Sequence, residues 1–374
     1  RKMEAIFGNL LDLEPRLVIM WIIGGILIYL AIKKDMEPSL LLPMGFGAIL
    51  VNLPNSGAIT QGEEIGVLNV LYDAGIANEL FPLLLFIGIG AMIDFGPLLQ
   101  SPYLLIFGAA AQLGIFVTVS LACLFGFELK DAASIGIIGA ADGPTAIFVS
   151  QYFGSNYTGA IMVAAYSYMA LVPIIQPPVV KLLTTKKERT THMKYAASTV
   201  SKQTRILFPI LVTLIAGLIV PRSVALVGFL MFGNLLRECG VLDSLSKTAQ
   251  DVLANLITIF LGITIASQMQ AESFLNPQTL LILALGLFAF IFDTFGGVVF
   301  AKILNIFLPQ SKKINPMIGA CGISAFPMSS RVISKMALKE DNSNYLLMQA
   351  AGVNVGGQIA SVIAGGMIIN LIAH

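Results

Sequence analysis

The ten residues from Gly139 to Phe148 place an acid, Asp142, directly before a Gly143-Pro144 pair inside a long apolar stretch. An ionised carboxylate at membrane depth costs at least ~2.5 kcal/mol, and a helix broken there leaves backbone groups without partners. A bound cation would resolve both problems, and many secondary transporters build ion sites from interrupted helices. The segment therefore predicts a broken membrane helix with a cation site at Asp142.

The composition of the whole chain is that of a membrane protein. Hydrophobic residues make up 56% of the sequence and charged residues only 11%, whereas roughly 25% of a soluble domain is charged. The net charge of +1 gives no indication of nucleic-acid binding. Cys123, Cys239 and Cys321 lack metal-ligand or disulfide spacing, so neither a zinc site nor a disulfide framework is predicted.

Long apolar runs predict an all-α, polytopic membrane protein, since a membrane helix needs ~20 apolar residues. The predicted spans are 16–33, 38–54, 80–99, 102–127, 158–181, 205–221, 223–236, 252–269, 278–308 and 345–373. Two further apolar segments, 132–153 and 314–336, are interrupted by Gly, Pro and polar residues. These two segments are predicted to be broken or re-entrant helices.

A basic connection, 181–205, divides the chain into an N-terminal unit, 1–180, and a C-terminal unit, 206–374. It contains seven Lys or Arg residues and a single acid, Glu188. The positive-inside rule places this connection in the cytoplasm, and the alternative is a basic patch for a polyanion.

The two units are related by an internal repeat. Ile135–Pro144 matches Ile318–Pro327, with glycines and a proline recurring 183 positions later: Gly136, Gly139 and Pro144 correspond to Gly319, Gly322 and Pro327. Two related halves, each with a broken segment, predict inverted repeats with a site at their interface. Chance similarity between Gly-rich membrane segments is the alternative explanation.

The second broken segment offers polar groups that suit Na⁺, which prefers oxygen ligands as other hard cations do. Asn315 and Ser324 supply neutral oxygens, and Arg331 could neutralise an anionic substrate or pair with Asp142. The alternatives are helix capping or interhelical hydrogen bonding for Asn315 and Ser324, and snorkelling to the interface for Arg331.

Four further polar positions are candidates either for the ion site or for structural roles. Tyr168 and Asn354 follow the two broken segments and could approach the same centre, although Tyr168 could instead belong to an interfacial aromatic belt. Asp94 is expected to cap a helix end. Asp293 is expected either to pair with Lys302, nine residues further on, or to take part directly in ion binding.

The chain resembles the β subunit of the bacterial sodium-pumping biotin-dependent decarboxylases, which act on oxaloacetate, methylmalonyl-CoA or glutaconyl-CoA. The resemblance covers nearly the whole chain. The motifs that carry it are Gly88–Pro97, Gly139–Phe148 and the spaced set Asn315, Gly319, Ser324 and Arg331.

The resemblance implies an enzyme and a pump in one subunit. In such a complex a carboxyltransferase α subunit loads a biotinylated carrier, and the β subunit decarboxylates carboxybiotin, exports Na⁺ and takes up a proton. The resemblance also implies a small one-span γ subunit, a homotrimer, an elevator-type motion of two inverted repeats and a location in the bacterial cytoplasmic (inner) membrane.

The resemblance assigns roles to particular residues. Those expected to bind Na⁺ are Asp142, Asn315, Gly319, Ser324 and Asn354. Asp142, Tyr168 and Arg331 are expected to act in catalysis, with Arg331 also contacting carboxybiotin. Two alternatives remain open: a Na⁺/carboxylate symporter that binds its substrate through Arg331, and a non-catalytic membrane anchor of the complex.

Overall fold

A computed structural model describes residues 13–34, 36–194 and 199–373. The predicted N-terminal unit, connection and C-terminal unit each extend into positions outside these ranges. Within the described residues the chain is helical, apart from an isolated bridge between Gln61 and Glu64. The all-α prediction is thereby confirmed for the part of the chain that is described.

The α-helices are numbered in chain order. They are α1 Pro15–Lys34, α2 Pro38–Val51, α3 Val67–Gly75, α4 Leu80–Met92, α5 Gly96–Gln100, α6 Leu104–Ala111, α7 Leu113–Leu124, α8 Leu129–Gly136, α9 Gly143–Tyr152, α10 Thr158–Leu183, α11 Lys186–Arg189, α12 Lys202–Ile219, α13 Val224–Glu238, α14 Asp243–Lys247, α15 Ala254–Ile265, α16 Ala271–Phe274, α17 Pro277–Phe307, α18 Met328–Glu340 and α19 Leu347–Ile372.

Seven stretches of helix among the described residues are long and apolar enough to cross a membrane, which makes the chain a multi-pass membrane protein. They are Pro15–Lys34, Leu104–Leu124, Thr158–Leu183, Lys202–Ile219, Asp243–Gln268, Pro277–Phe307 and Leu347–Ile372. Helices α3 and α4 would form an eighth span, bent by 65°.

Three of the predicted spans contain a helix shorter than a full crossing. Helix α2 in span 38–54 has 14 residues, α4 in span 80–99 has 13, and α13 at span 223–236 has 15. At 1.5 Å per residue these helices are about 20 to 23 Å long, which is less than the ~30 Å hydrocarbon core of a bilayer. Apolar composition overestimated the length of α2 and α4, whereas α13 ends two residues beyond its predicted span.

The first predicted break is confirmed and lies between α8 and α9. A 3₁₀ turn, Ile137–Ala140, follows α8, and Ala141 then adopts a left-handed backbone with φ of 52°. Asp142 is extended, and α9 begins at Gly143 with Pro144 in its first turn, where proline needs no N–H partner. Every residue from 131 to 150 is buried, so the protein itself surrounds the backbone groups that the break leaves without helical hydrogen bonds.

The second predicted break is also confirmed. It begins with a 3₁₀ segment, Pro316–Gly322, continues as extended chain through Ile323, and ends where α18 starts at Met328. Residues 314–325 are all buried.

Glycines allow each break to pack closely against a helix from the other half of the chain. A side chain at Gly139 would meet Ala289 of α17, and one at Gly322 would meet Ala111 of α6. Within the C-terminal half, a side chain at Gly319 would collide with the carbonyl oxygen of Gly297 in α17. The contacts of Gly139 and Gly322 with the opposite half bring the two breaks together in the interior of the protein.

Candidate functional site

Asp142 lies at the start of α9, where its carboxylate caps the helix. Its Oδ1 accepts a hydrogen bond from the Thr145 backbone N–H at 3.2 Å, and its Oδ2 accepts one from the Thr145 hydroxyl at 2.8 Å. An aspartate at the N-cap is favoured because it satisfies N–H groups that the first helical turn leaves free. The side chain is only 3% exposed, so the carboxylate lies inside the protein.

The second break and α19 complete the surroundings of Asp142. The Ser361 hydroxyl lies 2.9 Å from Oδ2, and the Ser324 hydroxyl and the Gln358 amide nitrogen each lie 3.4 Å from it. The hydroxyls of Ser324 and Ser361 also contact each other. The backbone N–H of Ser324 donates to the carbonyl of Ala140 at 2.8 Å, so the two breaks are joined directly.

This arrangement is a cluster of hard oxygen atoms around one carboxylate. Three hydroxyls, from Thr145, Ser324 and Ser361, reach Oδ2, and the Ser324 hydroxyl is 3.4 Å from the Gly357 carbonyl. A hydroxyl that donates to the carboxylate can rotate and offer its lone pairs to a cation instead. One negative charge among neutral oxygens suits a monovalent hard cation.

Asn354 lies beside this cluster and holds the second break. Its amide nitrogen donates to the carbonyls of Cys321 and Ile323, at 3.2 and 2.8 Å. Its own oxygen, Oδ1, is buried and has no hydrogen-bond partner among the described residues. Asn354 therefore has an unused acceptor next to the segment that carries Ser324, as a cation ligand would require.

Asn315 and Gly319 lie further back along the second break. The Asn315 amide nitrogen donates to the carbonyls of Arg189 and Thr191, both at 2.9 Å, and its oxygen accepts from the N–H of Met317. Gly319 packs its backbone against Gly297. The structure thus brings Ser324 to Asp142, whereas the observed contacts of Asn315 and Gly319 are with the connection and with α17.

Two tyrosines of α10 flank the first break. The Tyr168 hydroxyl donates to the carbonyl of Leu283 at 2.5 Å, and its ring packs in a cluster with Ala141 and Phe290. Tyr166 is fully buried with its ring against Gly143, and within the described part of the chain its hydroxyl has no hydrogen-bond partner. Tyr168 is therefore partly buried next to the break, and its role there stays a prediction.

Arg331 is exposed and lines a cavity of about 430 Å³. This cavity, here called the basic cavity, contains five cationic and two acidic side chains: Lys34, Lys181, Arg331, Lys335 and Lys339, with Glu37 and Glu340. Lys34 and Lys181 end helices whose basic termini are predicted to be cytoplasmic.

The expectation that Arg331 pairs with Asp142 is wrong. Among the described residues Arg331 forms no ion pair with Asp142, whose partners are hydroxyl and amide groups. The segment from Ser324 to Arg331 is not one continuous helix either, because α18 begins only at Met328, after Pro327. The distance in sequence therefore does not place Ser324 and Arg331 on a shared helical face.

Asp94 and Asp293 each accept a hydrogen bond from the backbone, although Oδ2 of Asp293 is buried with no hydrogen-bond partner among the described residues. Asp94 accepts from the Gly96 N–H at 2.8 Å at the start of α5 and pairs with Arg205 at 3.0 Å, which confirms the capping prediction. The predicted Asp293–Lys302 pair is wrong. Asp293 accepts from the Ile115 N–H at 3.1 Å, while Lys302 binds Glu188 at 3.3 Å.

Three residues at the site were not singled out from the sequence: Thr145, Gln358 and Ser361. Thr145 stands three residues after Asp142, which is the spacing of a helix-capping contact. Asn354, Gln358 and Ser361 follow the i, i+4, i+7 spacing of one helical face. A search for polar residues at helical spacing within the last span would have identified them.

Comparison with known proteins identifies relatives that match nearly the whole chain. Residues 16–372 match the model of the family described as the Na⁺-transporting oxaloacetate decarboxylase beta subunit. The oxaloacetate decarboxylase beta chain of Klebsiella pneumoniae is 43% identical, over 97% of this chain and 97% of the relative. The methylmalonyl-CoA decarboxylase subunit beta of Veillonella parvula is 47% identical, over 95% and 93%.

A third relative extends the range of substrates in the names. The glutaconyl-CoA decarboxylase subunit beta of Acidaminococcus fermentans is 47% identical, over 95% of this chain and 92% of the relative. The matches cover the two breaks and the helices around them, and they extend over almost the full length of each relative. The chain therefore belongs to the family of Na⁺-transporting decarboxylase beta subunits.

Proposed function

We propose that this chain is the membrane subunit of a decarboxylase sodium pump, which decarboxylates carboxybiotin and couples that reaction to Na⁺ export and proton uptake. The observation that carries the proposal is the buried Asp142 carboxylate, which is surrounded by hydroxyls from both halves of the chain. Such a site has a charge of −1 and neutral oxygen ligands, as binding of one Na⁺ requires.

Asp142 is the principal Na⁺ ligand in this proposal. Thr145, Ser324 and Ser361 supply hydroxyl oxygens, and the unpartnered oxygen of Asn354 is a further ligand from α19. Without Na⁺ the carboxylate keeps its hydrogen bonds or takes up a proton, so Na⁺ and H⁺ compete for the same group. This competition supplies the exchange of one cation for the other.

The basic cavity is the proposed entry for carboxybiotin. Carboxybiotin is an anion, and the surplus of cations over acids in the cavity attracts it. Arg331 can hold its carboxylate with two parallel hydrogen bonds. Decarboxylation breaks the N–CO₂ bond, releases CO₂ and leaves a nitrogen that takes up one proton, and Tyr168 is the proposed relay for that proton.

The remaining parts of the pump follow from the family. We propose that a carboxyltransferase α subunit loads a biotinylated carrier, that a small one-span γ subunit joins the complex, and that β subunits form a homotrimer in the bacterial cytoplasmic membrane. The proposal includes a pair of inverted repeats that move as an elevator, as the family resemblance implies. Each half of the chain contributes side chains to the site around Asp142.

The test is the substitution Asp142→Asn in the complete complex reconstituted into vesicles. Asparagine keeps the shape of the side chain but removes its charge, so we expect Na⁺-stimulated decarboxylation and ²²Na⁺ uptake to fall by at least 100-fold. Raising the pH should lower the Na⁺ concentration needed by the wild-type complex, since fewer protons then compete. The matched control is Asp73→Asn, an exposed acid of α3.

The outcomes separate the pump from its alternatives. A complex with Asp142→Asn that keeps wild-type Na⁺ dependence would contradict the proposal and favour a membrane anchor. Na⁺-driven uptake of a free carboxylate by the chain alone would favour a symporter.

A further inference from the structure

Residues 184–193 of the polar connection, here called the strap, are fastened to the start of the second break. Asn315 donates to the carbonyls of Arg189 and Thr191, both at 2.9 Å. Asn344 donates to the same two carbonyls, at 3.2 and 3.3 Å. Both asparagines are buried. Two side chains from different segments therefore hydrogen-bond to the same two carbonyls of the strap.

Other contacts fasten the strap along its length. Glu188 pairs with Lys302 of α17 at 3.3 Å, and Arg189 pairs with Glu340 of α18 at 2.9 Å. His192 lies 2.7 Å from the carboxylate of Asp341. Hydrogen bonds from Ser343, and then from His192, hold the pKa of Asp341 at about 2, so this carboxylate is ionised at neutral pH.

The hydrogen bonds of Asn315 differ from those of Asn354. Both protons of the Asn315 amide go to strap carbonyls, and its oxygen accepts from the Met317 N–H. The side-chain oxygen of Asn354, by contrast, has no hydrogen-bond partner among the described residues. Asn315 thus has the contacts of a clamp, whereas Asn354 has the free acceptor of an ion ligand.

A rigid path connects the strap to the ion site. Asn315 directly precedes the buried 3₁₀ segment Pro316–Gly322, and two residues after that segment Ser324 contacts Asp142. A binding site must be held to within about 0.5 Å by the residues that support it. A shift at Asn315 would therefore be transmitted to the Ser324 hydroxyl.

We infer that Asn315 and Asn344 form one positioning unit, which clamps the strap and so fixes the second break, and that Asn315 affects Na⁺ binding through this clamp and not as an ion ligand. Only the Na⁺ measurement below rests on the proposed function. The clamp itself can be measured without Na⁺.

The substitution to aspartate separates the two roles. Asn315→Asp keeps an oxygen ligand and adds negative charge, so an ion ligand would bind Na⁺ at least as well. A clamp would fail, because the carboxylate has no protons to donate and faces two carbonyl oxygens. Asn344→Asp should fail in the same way, although no ion role is assigned to it. Asn305→Asp is the matched control, since Asn305 donates to Ile314 next to Asn315 without contacting the strap.

The first measurement is hydrogen–deuterium exchange of residues 186–193 in the intact complex without Na⁺. We expect exchange to become roughly tenfold faster in Asn315→Asp and in Asn344→Asp, since each variant loses two hydrogen bonds. Asn305→Asp should leave it unchanged. Unchanged exchange in Asn344→Asp, or equal acceleration in Asn305→Asp, would overturn the inference.

The second measurement is the Na⁺ concentration that gives half-maximal decarboxylation, per folded complex. We expect it to rise in both single variants, and the double variant to show less than the product of the two effects, because the residues share acceptors. A change confined to Asn315→Asp with strap exchange intact would instead make Asn315 an ion ligand. If the wild-type complex showed no Na⁺ dependence, the proposed function would fail while the exchange result would still decide the clamp.

Discussion

The break before α9 contains a carboxylate, whereas the break before α18 contains a row of backbone carbonyls that accept hydrogen bonds from amide side chains. In the first break, the Asp142 carboxylate accepts hydrogen bonds from the hydroxyls of Thr145 and Ser361. In the second break, the carbonyls of residues 320–323 accept from Gln176, Asn354 and Gln112. The charge is thus concentrated at one break, and the other break is held by neutral groups.

This difference assigns separate tasks to two segments of similar sequence. Neutral amide caps satisfy the freed carbonyls at any pH, so the second break can serve as a fixed wall. A buried carboxylate is costly unless a proton, a cation or several donors stabilise it. In the proposed pump, the first break is therefore the place where the bound cation changes, and the second break supplies the hydroxyl of Ser324.

The largest effect on folding stability is expected from Gly319→Ala, which tests whether the second break is a packed wall. The new methyl group would collide with the carbonyl of Gly297, and overpacking of this kind typically costs 1–3 kcal/mol. We expect a lower melting temperature of the purified complex and little folded protein. Gly25→Ala is the control, because a side chain there meets nothing within 4 Å. A variant with normal melting but altered Na⁺ dependence would place Gly319 in the ion site.

An intermediate effect is expected from Ser324→Ala and Ser361→Ala, which test whether the two halves share one cation. Each change removes a hydroxyl that reaches Oδ2 of Asp142. Losing one ligand or hydrogen bond is worth ~1–3 kcal/mol, so half-maximal activity should need roughly tenfold more Na⁺. Ser120→Ala, on the exposed side of α7, should leave the titration unchanged. An unchanged titration for Ser361→Ala would separate α19 from the site.

The smallest effect is expected from Tyr168→Phe, which tests whether the proton path lies beside the first break. The change removes the hydroxyl that donates to the Leu283 carbonyl. We expect decarboxylation to slow about fivefold, as loss of one ordinary hydrogen bond allows, with Na⁺ binding nearly intact. Tyr166→Phe should have no such effect, because its hydroxyl makes no hydrogen bond to any residue that the structure describes. Normal pumping by Tyr168→Phe would remove Tyr168 from the proton path.

Local chemistry explains which features could be predicted from the sequence. Gly143-Pro144 and Asn315-Pro316 mark the two breaks, because proline lacks the N–H that continues a helix and is favoured in a helix's first turn. Proline alone is not sufficient, since Pro173 lies inside α10 and Pro209 lies inside α12. Asp142 was identified because it is an acid in an apolar stretch with no neighbouring base, where a charge is costly. Ser361 was missed because it lies 219 residues from Asp142 within a helix that carries no break.

Errors arose where a contact was inferred from distance along the chain. Asp293 and Lys302 are nine residues apart on one continuous helix, α17. At 100° per residue this separation places them on opposite faces and about 13 Å apart along the axis. The strap is a similar case, since nothing near Asn315 in sequence indicates that its partners are carbonyls of residues 189 and 191.

The contact between Asp142 and Ser361 has a consequence for how the protein is made. Ser361 is synthesised 219 residues after Asp142, which takes roughly 10 to 45 s at the usual rate of translation. For that time the carboxylate is without the hydroxyls of Ser324 and Ser361 and needs water, a proton or the insertion machinery as its partner. The ion site therefore forms only at the end of membrane insertion, when the last helix joins the others.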